Sequence, residues 1–424
     1  MGLHVIYRKA CPFDEDIFVA NYRSFVTSNA ESDADLTGQT YAPKEMIARL
    51  VGFDTTSRNS NLELIAFVRD YLAGLGVEST LVPNEDGDKA SLFATIGPKD
   101  TGGIALSGHT DCVPVDGQAW TTDPFTTVEK DGRIYGRGTC DMKGFVAIAL
   151  AMVPEFLAAP LKTPIHLALS YDEETGCTGV RPMIAELGES LVKPRAVIVG
   201  EPTEMAVVDA HKTITDYLTE VTGHEVHSAH IDKGANAILA AGELLVEIAR
   251  MRDDMIAAGD PSGKFDPPYT TVHVGQIWGG TAHNIVPLKC RFEWEVRSLP
   301  GFDPDNLLKR LEAYAEDNVL PALRAIAPTT GISTHKQVDV IGLAPDPGSL
   351  AESLAMRFSG RNETGTVSYA TEGGLFQERG MSTIVCGPGS IAQAHQPDEF
   401  IKVSEVDACV AFMRRLTEAA RAGI

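Results

Sequence analysis

IHLALSYDEETGCTG, residues 165–179, joins a mostly apolar run to an acidic turn. The first five residues are typical of a strand that is buried on both faces. The run leads into Asp172, Glu173 and Glu174, although adjacent carboxylates at the end of a buried strand repel each other. Two interpretations follow. Either this is a solvated acidic turn, or a cation lies between the carboxylates and one of them does chemistry.

Similar apolar runs recur along the chain and alternate with helical patterns. Near-continuous apolar strands between helices predict an α/β domain whose mixed sheet is covered by helices on both faces. The predicted strands are 77–83, 90–96, 104–107, 164–170, 196–199 and 382–386, and the predicted helices are 61–75, 144–157, 180–187, 349–358 and 403–421.

A segment in the middle of the chain has the element order β-α-β-β-α-β, which predicts a ferredoxin-like insert. Its predicted elements are strand 214–222, helix 234–256, strands 270–277 and 285–297, helix 304–326 and strand 331–341. We therefore predict an N-terminal extension (1–42), the first part of a catalytic domain (43–212), an inserted lid domain (213–340) and the second part of the catalytic domain (341–424).

Composition excludes several classes of partner. The net charge of −22, from 36 basic and 58 acidic residues, argues against nucleic acid and anionic membrane, which both require a basic surface. The longest apolar run, 145–153, is too short to span a bilayer, and the N-terminus lacks a signal-peptide pattern. Seven cysteines without a CxxC spacing predict free thiols and a cytoplasmic location.

Metal-binding side chains follow the predicted core strands at the point where each strand ends. Ligands of open α/β sheets gather at the carboxyl ends of the strands. The candidates there are His109, the pair Glu173 and Glu174, Glu201, His395, and Asp141 on a Gly-rich loop before a helix.

Imidazole and carboxylate donors without cysteine suit Zn²⁺ and also accept Co²⁺ or Mn²⁺. Five donors are too many for one tetrahedral zinc with an open position, but they suit two ions that share a carboxylate. One glutamate of the pair would then remain free as a general base. Asp111 would fix the tautomer of His109 by accepting its second N–H.

Each residue alone also has a simpler interpretation. A strand-end histidine is often structural, an acidic pair in a turn is often solvated, and Asp141 could cap the following helix. The segment HEVHSAH, residues 224–230, imitates a zinc motif, but its spacing is one residue short and it follows a strand end. Only the coincidence of all the donors at one sheet edge favours a metal site.

The motifs around these residues resemble the dinuclear-zinc amidohydrolases, a family that includes aminoacylases, desuccinylases, glutamate carboxypeptidase and acetylornithine deacetylase. The resemblance spans residues 43–424. It rests on LSGHTDCVPVDG, YGRGTCDMKGF, YDEETGCTG, GEPT, HSAHIDKGANAI, GGTAHNIVPLKC and PGSIAQAHQPDEF. The family motif HSSxP reads HSAHI here, and the N-terminal extension has no counterpart in the resemblance.

The resemblance implies two Zn²⁺ ions per subunit, which Co²⁺ could replace. The first would be held by His109, Asp141 and Glu201, and the second by Asp141, Glu174 and His395. Glu173 would be the general base.

The resemblance also implies a homodimer formed through the lid, in which His227 would reach the partner subunit's active site and stabilise the oxyanion. Asn284 and Arg297 would hold the α-carboxylate of an N-acyl amino acid, although Arg297 could instead form a surface ion pair.

The motifs TEGGLFQ and PGSIAQAHQPDEF are most similar to the branch that deacetylates Nα-acetyl-L-ornithine in arginine biosynthesis. Glu372 is our candidate for binding the side-chain ammonium, with the alternative of a solvated loop carboxylate, and Gly373 beside it is a further substrate-binding candidate. Acetylcitrulline, a succinylated diamino acid or a dipeptide are alternative substrates. A protein that binds amino-acid derivatives without turnover is the alternative outside enzymes.

Overall fold

Two main sheets organise the computed structural model, which describes residues 37–424. Most of the predicted N-terminal extension therefore lies outside the described residues. The strands are β1 (Ser79–Pro83), β2 (Ala90–Ile96), β3 (Ile104–His109), β4 (Val128–Lys130), β5 (Arg133–Tyr135), β6 (Ile165–Ser170), β7 (Ala196–Pro202), β8 (Val207–His211), β9 (Ile214–Thr222), β10 (Thr271–Gly279), β11 (Lys289–Arg297), β12 (Gly331–Val340), β13 (Thr364–Val367), β14 (Ser382–Gly387) and β15 (Phe400–Lys402).

The helices pack against these sheets. They are α1 (Pro43–Val51), α2 (Leu62–Gly74), α3 (Lys143–Ala151), α4 (Val153–Ala158), α5 (Val180–Glu186), α6 (Ala237–Ala258), α7 (Asp305–Tyr314), α8 (Leu320–Ile326), α9 (Leu350–Ser359), α10 (Gly373–Glu378) and α11 (Val403–Ala422). No helix in residues 37–424 combines the length and the apolar character that crossing a bilayer requires.

The larger sheet has eight strands in the order β1-β2-β6-β3-β7-β14-β8-β13. The four neighbours β6, β3, β7 and β14 are parallel to one another. At one side β2 is antiparallel to β6 and β1 is antiparallel to β2, and at the other side β8 is antiparallel to β14. Because parallel strands end at the same edge, the residues that follow these four strands meet there.

Helices cover both faces of this sheet. Ile198 of β7 packs in one core with Phe145 of α3 and Phe412 of α11. The adjacent Val197 points to the opposite core, which contains Phe376 of α10. Strand side chains alternate between faces, so both faces of β7 are buried. The predicted mixed α/β domain is confirmed.

The smaller main sheet contains the antiparallel strands β10-β11-β9-β12. Its inner face packs against α6 and α7, and the rings of Tyr217 and Trp294 stack there with centroids 4.3 Å apart. Together with its helices this sheet has the element order β-α-β-β-α-β, so the predicted ferredoxin-like insert is confirmed. The exact domain boundaries remain our proposal.

Local sequence signals explain where several helices begin and end. The side chain of Asn236 accepts the N–H groups of Ile238 and Leu239, each at 3.0 Å, and so caps α6. Ser349 caps α9 in the same way, and Gly360 ends that helix with φ +75°, a conformation that glycine adopts without steric cost.

Three predictions of element boundaries were wrong. The strand predicted at 285–297 begins only at Lys289. The helix predicted at 304–326 contains a π turn, Ala315–Val319, between α7 and α8. The helix predicted at 144–157 divides into α3 and α4, where Met152 separates them and Pro154 follows. The sequence analysis also missed β8, β13 and the small sheet β15-β5-β4, because strands of three to five residues have little periodicity.

Candidate metal centre and active site

The carboxyl ends of the parallel strands bring five predicted metal ligands together, and we call these residues the donor cluster. His109 is the last residue of β3 and Glu201 lies near the end of β7. The others come from the turn after β6, the loop before α3 and the loop after β14. The five residues are His109, Asp141, Glu174, Glu201 and His395.

Each carboxylate oxygen of Asp141 faces a different histidine. Oδ1 lies 3.0 Å from Nε2 of His109, and Oδ2 lies 3.4 Å from Nε2 of His395. Oε1 of Glu201 lies 3.7 Å from the same His109 nitrogen, and Oε2 of Glu174 lies 3.0 Å from the His395 nitrogen. Asp141 is therefore shared by two groups of donors, as a bridging carboxylate in a two-metal site would be.

The side chains are close enough to hold ions. In two sets of three residues, the ligand atoms all lie within 4.8 Å of one another: His109, Glu173 and Glu201 in one set, and His109, Asp141 and Glu174 in the other. The sets share His109, but neither is one of the predicted ligand triads, because Glu173 stands in the first set and Asp141 occurs only in the second.

The electrostatics of the cluster also fit cations. Oε1 of Glu174 and Oε1 of Glu201 are buried and have no hydrogen-bond partner among the described residues. Burial, reinforced by the charge of Asp141, raises the pKa of Glu201 well above its usual range and that of Glu174 to about 7. Buried carboxylates without donors are stabilised by protons or by metal ions, so these residues fit a metal-binding site.

Glu173 forms no ion pair with His109 or His395, although its carboxylate lies within 4.8 Å of a ring nitrogen of His109. It keeps part of its surface open, and its Oε1 accepts a hydrogen bond from the thiol of Cys177 at 3.5 Å. Loss of water around the side chain raises the pKa of Glu173 well above its usual range. The charge of His109 opposes this increase, and the charge of Glu174 adds to it. A carboxyl group of high pKa beside a metal site is suited to proton transfer.

Asp111 supports both the cluster and the acidic turn. Nδ1 of His109 lies 3.0 Å from the main-chain oxygen of Asp111 and 3.4 Å from its Oδ1. The Asp111 carboxylate also accepts the N–H of Glu173 at 3.2 Å and the hydroxyl of Ser57 at 2.7 Å. These contacts fix the orientation of the imidazole relative to the turn.

The lid residues lie apart from the donor cluster. His227 and Asn284 are exposed neighbours, because the N–H of Ser228 donates to the main-chain oxygen of Asn284 at 3.0 Å. Arg297 forms two hydrogen bonds with Glu295, at 2.8 and 2.9 Å. Within residues 37–424, no hydrogen bond or ion pair joins these three candidates to the cluster. Their roles in substrate binding remain predictions.

Glu372 lies buried below the cluster. Its carboxylate accepts hydrogen bonds from the hydroxyls of Ser170 and, at 3.3 Å, Ser107, and burial raises its pKa to about 7. It is therefore not the solvated loop carboxylate that was the alternative. Gly373 is also buried and opens α10, with its N–H donating to Thr371 Oγ1 at 3.0 Å.

The simpler interpretations of single residues do not describe this geometry. The side chain of Asp141 does not cap α3, whose N-cap residue is Met142. The side chain of Glu174 is only 8% exposed, so the acidic turn is not fully solvated. In the segment 224–230, the chain leaves β9 at Thr222 and forms no helix before the 3-10 turn at Ser228.

The six cysteines among the described residues are free and buried, as the sequence predicted; Cys11 lies outside that range. Burial raises the pKa of Cys112, beside the cluster, to about 11, so this thiol is protonated at neutral pH.

Three residues that were not predicted from the sequence connect the loops of Asp141 and His395 by hydrogen bonds: Gln118, Arg137 and the buried Glu399. Glu399 lies four positions after His395 in the motif PGSIAQAHQPDEF, so the motif contained the signal. Nothing in the local pattern shows that its side chain reaches back to the loop of Asp141.

Known proteins are similar to this chain in sequence. Residues 105–419 match the model of peptidase family M20/M25/M40. An acetylornithine deacetylase from Myxococcus xanthus is 38% identical, covering 88% of this chain and 96% of its own length. One from Proteus mirabilis is 35% identical, covering 86% of this chain and 92% of its own.

Solved structures show the same fold. An M20 family metallo-carboxypeptidase from Sulfolobus solfataricus superposes with a TM-score of 0.72 at 17% identity, covering 90% of this chain and all of its own. A Bacillus subtilis protein described as a dinuclear metal-binding peptidase of the M20 family superposes with a TM-score of 0.62 at 14% identity, covering 93% of this chain and all of its own.

Proposed function

Because the chain belongs to peptidase family M20/M25/M40 and hydrolyses amide bonds, we propose that its substrate is Nα-acetyl-L-ornithine, which it converts into L-ornithine and acetate. The observation that carries the two-metal chemistry is the carboxylate of Asp141, whose two oxygens face His109 and His395 separately. The choice of substrate is supported by relatives named acetylornithine deacetylase that match this chain over most of its length.

In this proposal His109, Asp141 and Glu201 would hold one Zn²⁺, and Asp141, Glu174 and His395 would hold the other. When bound, the ions would supply Lewis acidity and lower the pKa of the attacking water; Co²⁺ could replace zinc.

Glu173 moves the proton. Its carboxylate accepts a proton from the attacking water and returns it to the nitrogen of the leaving amine. Burial raises the pKa of Glu173, which makes its carboxylate a stronger proton acceptor than an exposed glutamate. Asp111 holds the turn through the N–H of Glu173.

The lid would complete the site from a second copy of the chain. On α6 the side chains of Leu239 and Val246 are 64% and 52% exposed, and Ile277 on the edge strand β10 is 49% exposed. Apolar side chains on a helix beside an unpaired strand edge favour association with another protein surface. We propose a homodimer through this surface, in which the partner subunit's His227 stabilises the oxyanion.

Substrate binding would use both parts of the chain. Arg297 is already paired with Glu295, so binding the α-carboxylate would require the guanidinium to share or exchange that partner. Glu372 would accept the side-chain ammonium beside the two serine hydroxyls that already donate to its carboxylate, since a carboxylate has about four acceptor positions. We propose that Glu372 binds the side-chain ammonium.

The experiment that tests the function is deacetylation of Nα-acetyl-L-ornithine by the purified protein, followed as free amine. It is run on the protein as isolated, after chelation, and after adding Zn²⁺ or Co²⁺. We expect chelation to abolish activity and either metal to restore it. If the protein binds two metal equivalents yet leaves acetylornithine intact, the substrate is wrong, and other N-acyl amino acids and dipeptides are tested. If no metal binds, the two-metal assignment itself is wrong.

A further inference from the structure

The buried carboxylate of Glu399 accepts several hydrogen bonds from the loop that carries Asp141. Oε1 of Glu399 accepts the N–H groups of Cys140 at 2.8 Å and Asp141 at 3.1 Å. Its Oε2 accepts the N–H of Gly138 at 3.1 Å and Nη1 of Arg137 at 2.7 Å. Three main-chain N–H groups and one guanidinium donate to this carboxylate, which holds the loop of Asp141 in place.

The same carboxylate is connected to the loop of His395. Arg137 is fully buried, and its Nη2 donates to Oε1 of Gln118 at 2.6 Å. The amide nitrogen of Gln118 donates in turn to the main-chain oxygen of His395 at 2.8 Å. Trp120 contacts both of these side chains. Its indole N–H donates to Gln118 at 3.0 Å, and its ring lies 5.1 Å from the Arg137 guanidinium.

His395 needs such support more than the other donors. Its side chain is 51% exposed, whereas that of His109 is fully buried. Its φ of +64° is uncommon for a residue other than glycine, so surrounding contacts must hold this conformation.

We propose that Gln118, Arg137 and Glu399 form a positioning network that sets the separation of Asp141 and His395 and so maintains the second metal position. This inference rests on the proposed two-metal function. Glu399 fixes the main chain of Asp141, which both metal positions use. Gln118 accepts a hydrogen bond from Arg137 and donates one to the main-chain oxygen of His395, which only the second position uses. Removing the donor group of Gln118 alone should therefore affect the second position selectively.

Gln118→Glu separates the two roles of the glutamine. The carboxylate keeps an acceptor for Arg137 and for Trp120, but it cannot donate to the main-chain oxygen of His395. Gln396→Ala is the control, because Gln396 is exposed and adjacent to His395. Zn²⁺ is titrated into each metal-free protein by calorimetry, and thermal unfolding is measured in parallel.

We expect wild type and Gln396→Ala to bind two equivalents of Zn²⁺. Gln118→Glu should bind the first equivalent normally and the second about 10–100-fold more weakly, the usual loss when a residue that supports a metal ligand is changed. Its unfolding temperature should match that of wild type. Gln118→Ala also removes the acceptor for Arg137, so it should weaken the second equivalent at least as much, and it keeps the test valid if the glutamate variant does not fold.

Two tight and unchanged sites in both Gln118 variants would overturn the positioning role while leaving the two-metal function intact. Equal weakening of both sites in Gln118→Glu would also overturn it, because this variant keeps the acceptor for Arg137 and loses only the hydrogen bond to the loop of His395. A wild-type protein that binds fewer than two equivalents contradicts the proposed function itself, so the two failures are distinguishable.

Discussion

Replacing Glu173 with glutamine should abolish turnover and preserve metal binding. Glutamine has the size of glutamate and can still accept the weak hydrogen bond from Cys177, but it cannot take up a proton. The N–H of residue 173 would still donate to Asp111, so the acidic turn keeps its support. The change therefore removes proton transfer without removing a contact that holds the fold.

The expected loss follows from the role of a general base. Proton transfer by a positioned side chain contributes about 10²–10⁴-fold to a rate. At about 1.36 kcal/mol for each factor of ten, the barrier should rise by about 3–5 kcal/mol. The assay is kcat for acetylornithine with saturating Zn²⁺, together with the zinc content of the dialysed protein. We expect kcat to fall at least 100-fold while two equivalents of zinc remain.

The adjacent residue provides a matched control. Glu174→Gln makes the same chemical change one position along, but Glu174 lies 3.0 Å from the His395 nitrogen and belongs to the donor cluster. This variant should lose affinity for the second zinc, and added zinc should partly restore its activity. If Glu173→Gln keeps kcat within threefold of wild type, or loses zinc as Glu174→Gln does, the assignment of the base is refuted.

Three further results are expected. His227→Ala should lower kcat about 10²–10³-fold with zinc content unchanged, because an oxyanion donor is lost and no ligand is; a loss of zinc would instead identify it as a ligand. Glu372→Gln should lower the preference for acetylornithine over acetylmethionine, and an unchanged ratio of kcat/KM values would refute the ammonium contact. Leu239→Glu combined with Val246→Glu should shift the protein from dimer to monomer in sedimentation and reduce activity, whereas an unchanged dimer would place the interface elsewhere.

The sequence was sufficient for the fold class because its signals are local. Continuous apolar runs such as 196–199 predicted a sheet buried on both faces, and the structure has it. The ferredoxin-like insert could be predicted for the same reason, because its helices and strands are long enough to show a hydrophobic period. Boundaries failed where a helix contains a π turn at Ala315–Val319, because the sequence pattern remains helical across it.

The position of the donor residues was predictable, but their pairing was not. Side chains that follow parallel strands must meet at one edge, so the sequence alone indicated a site built from His109, Glu201 and the acidic pair. Residue spacing says nothing about which oxygen faces which nitrogen. Only the resemblance distinguished Glu173 from Glu174, and the structure adds that Glu174 is the one beside His395.

The sequence by itself therefore determined the kinds of donor atoms and the edge of the sheet where they gather, because strand direction and residue type are properties of each segment. Only the tertiary structure decided that Glu399 holds the loop of Asp141 and that Gln118 reaches His395. These contacts join residues more than 250 positions apart in the chain. They depend on how distant loops pack together, and no local period or spacing encodes that packing.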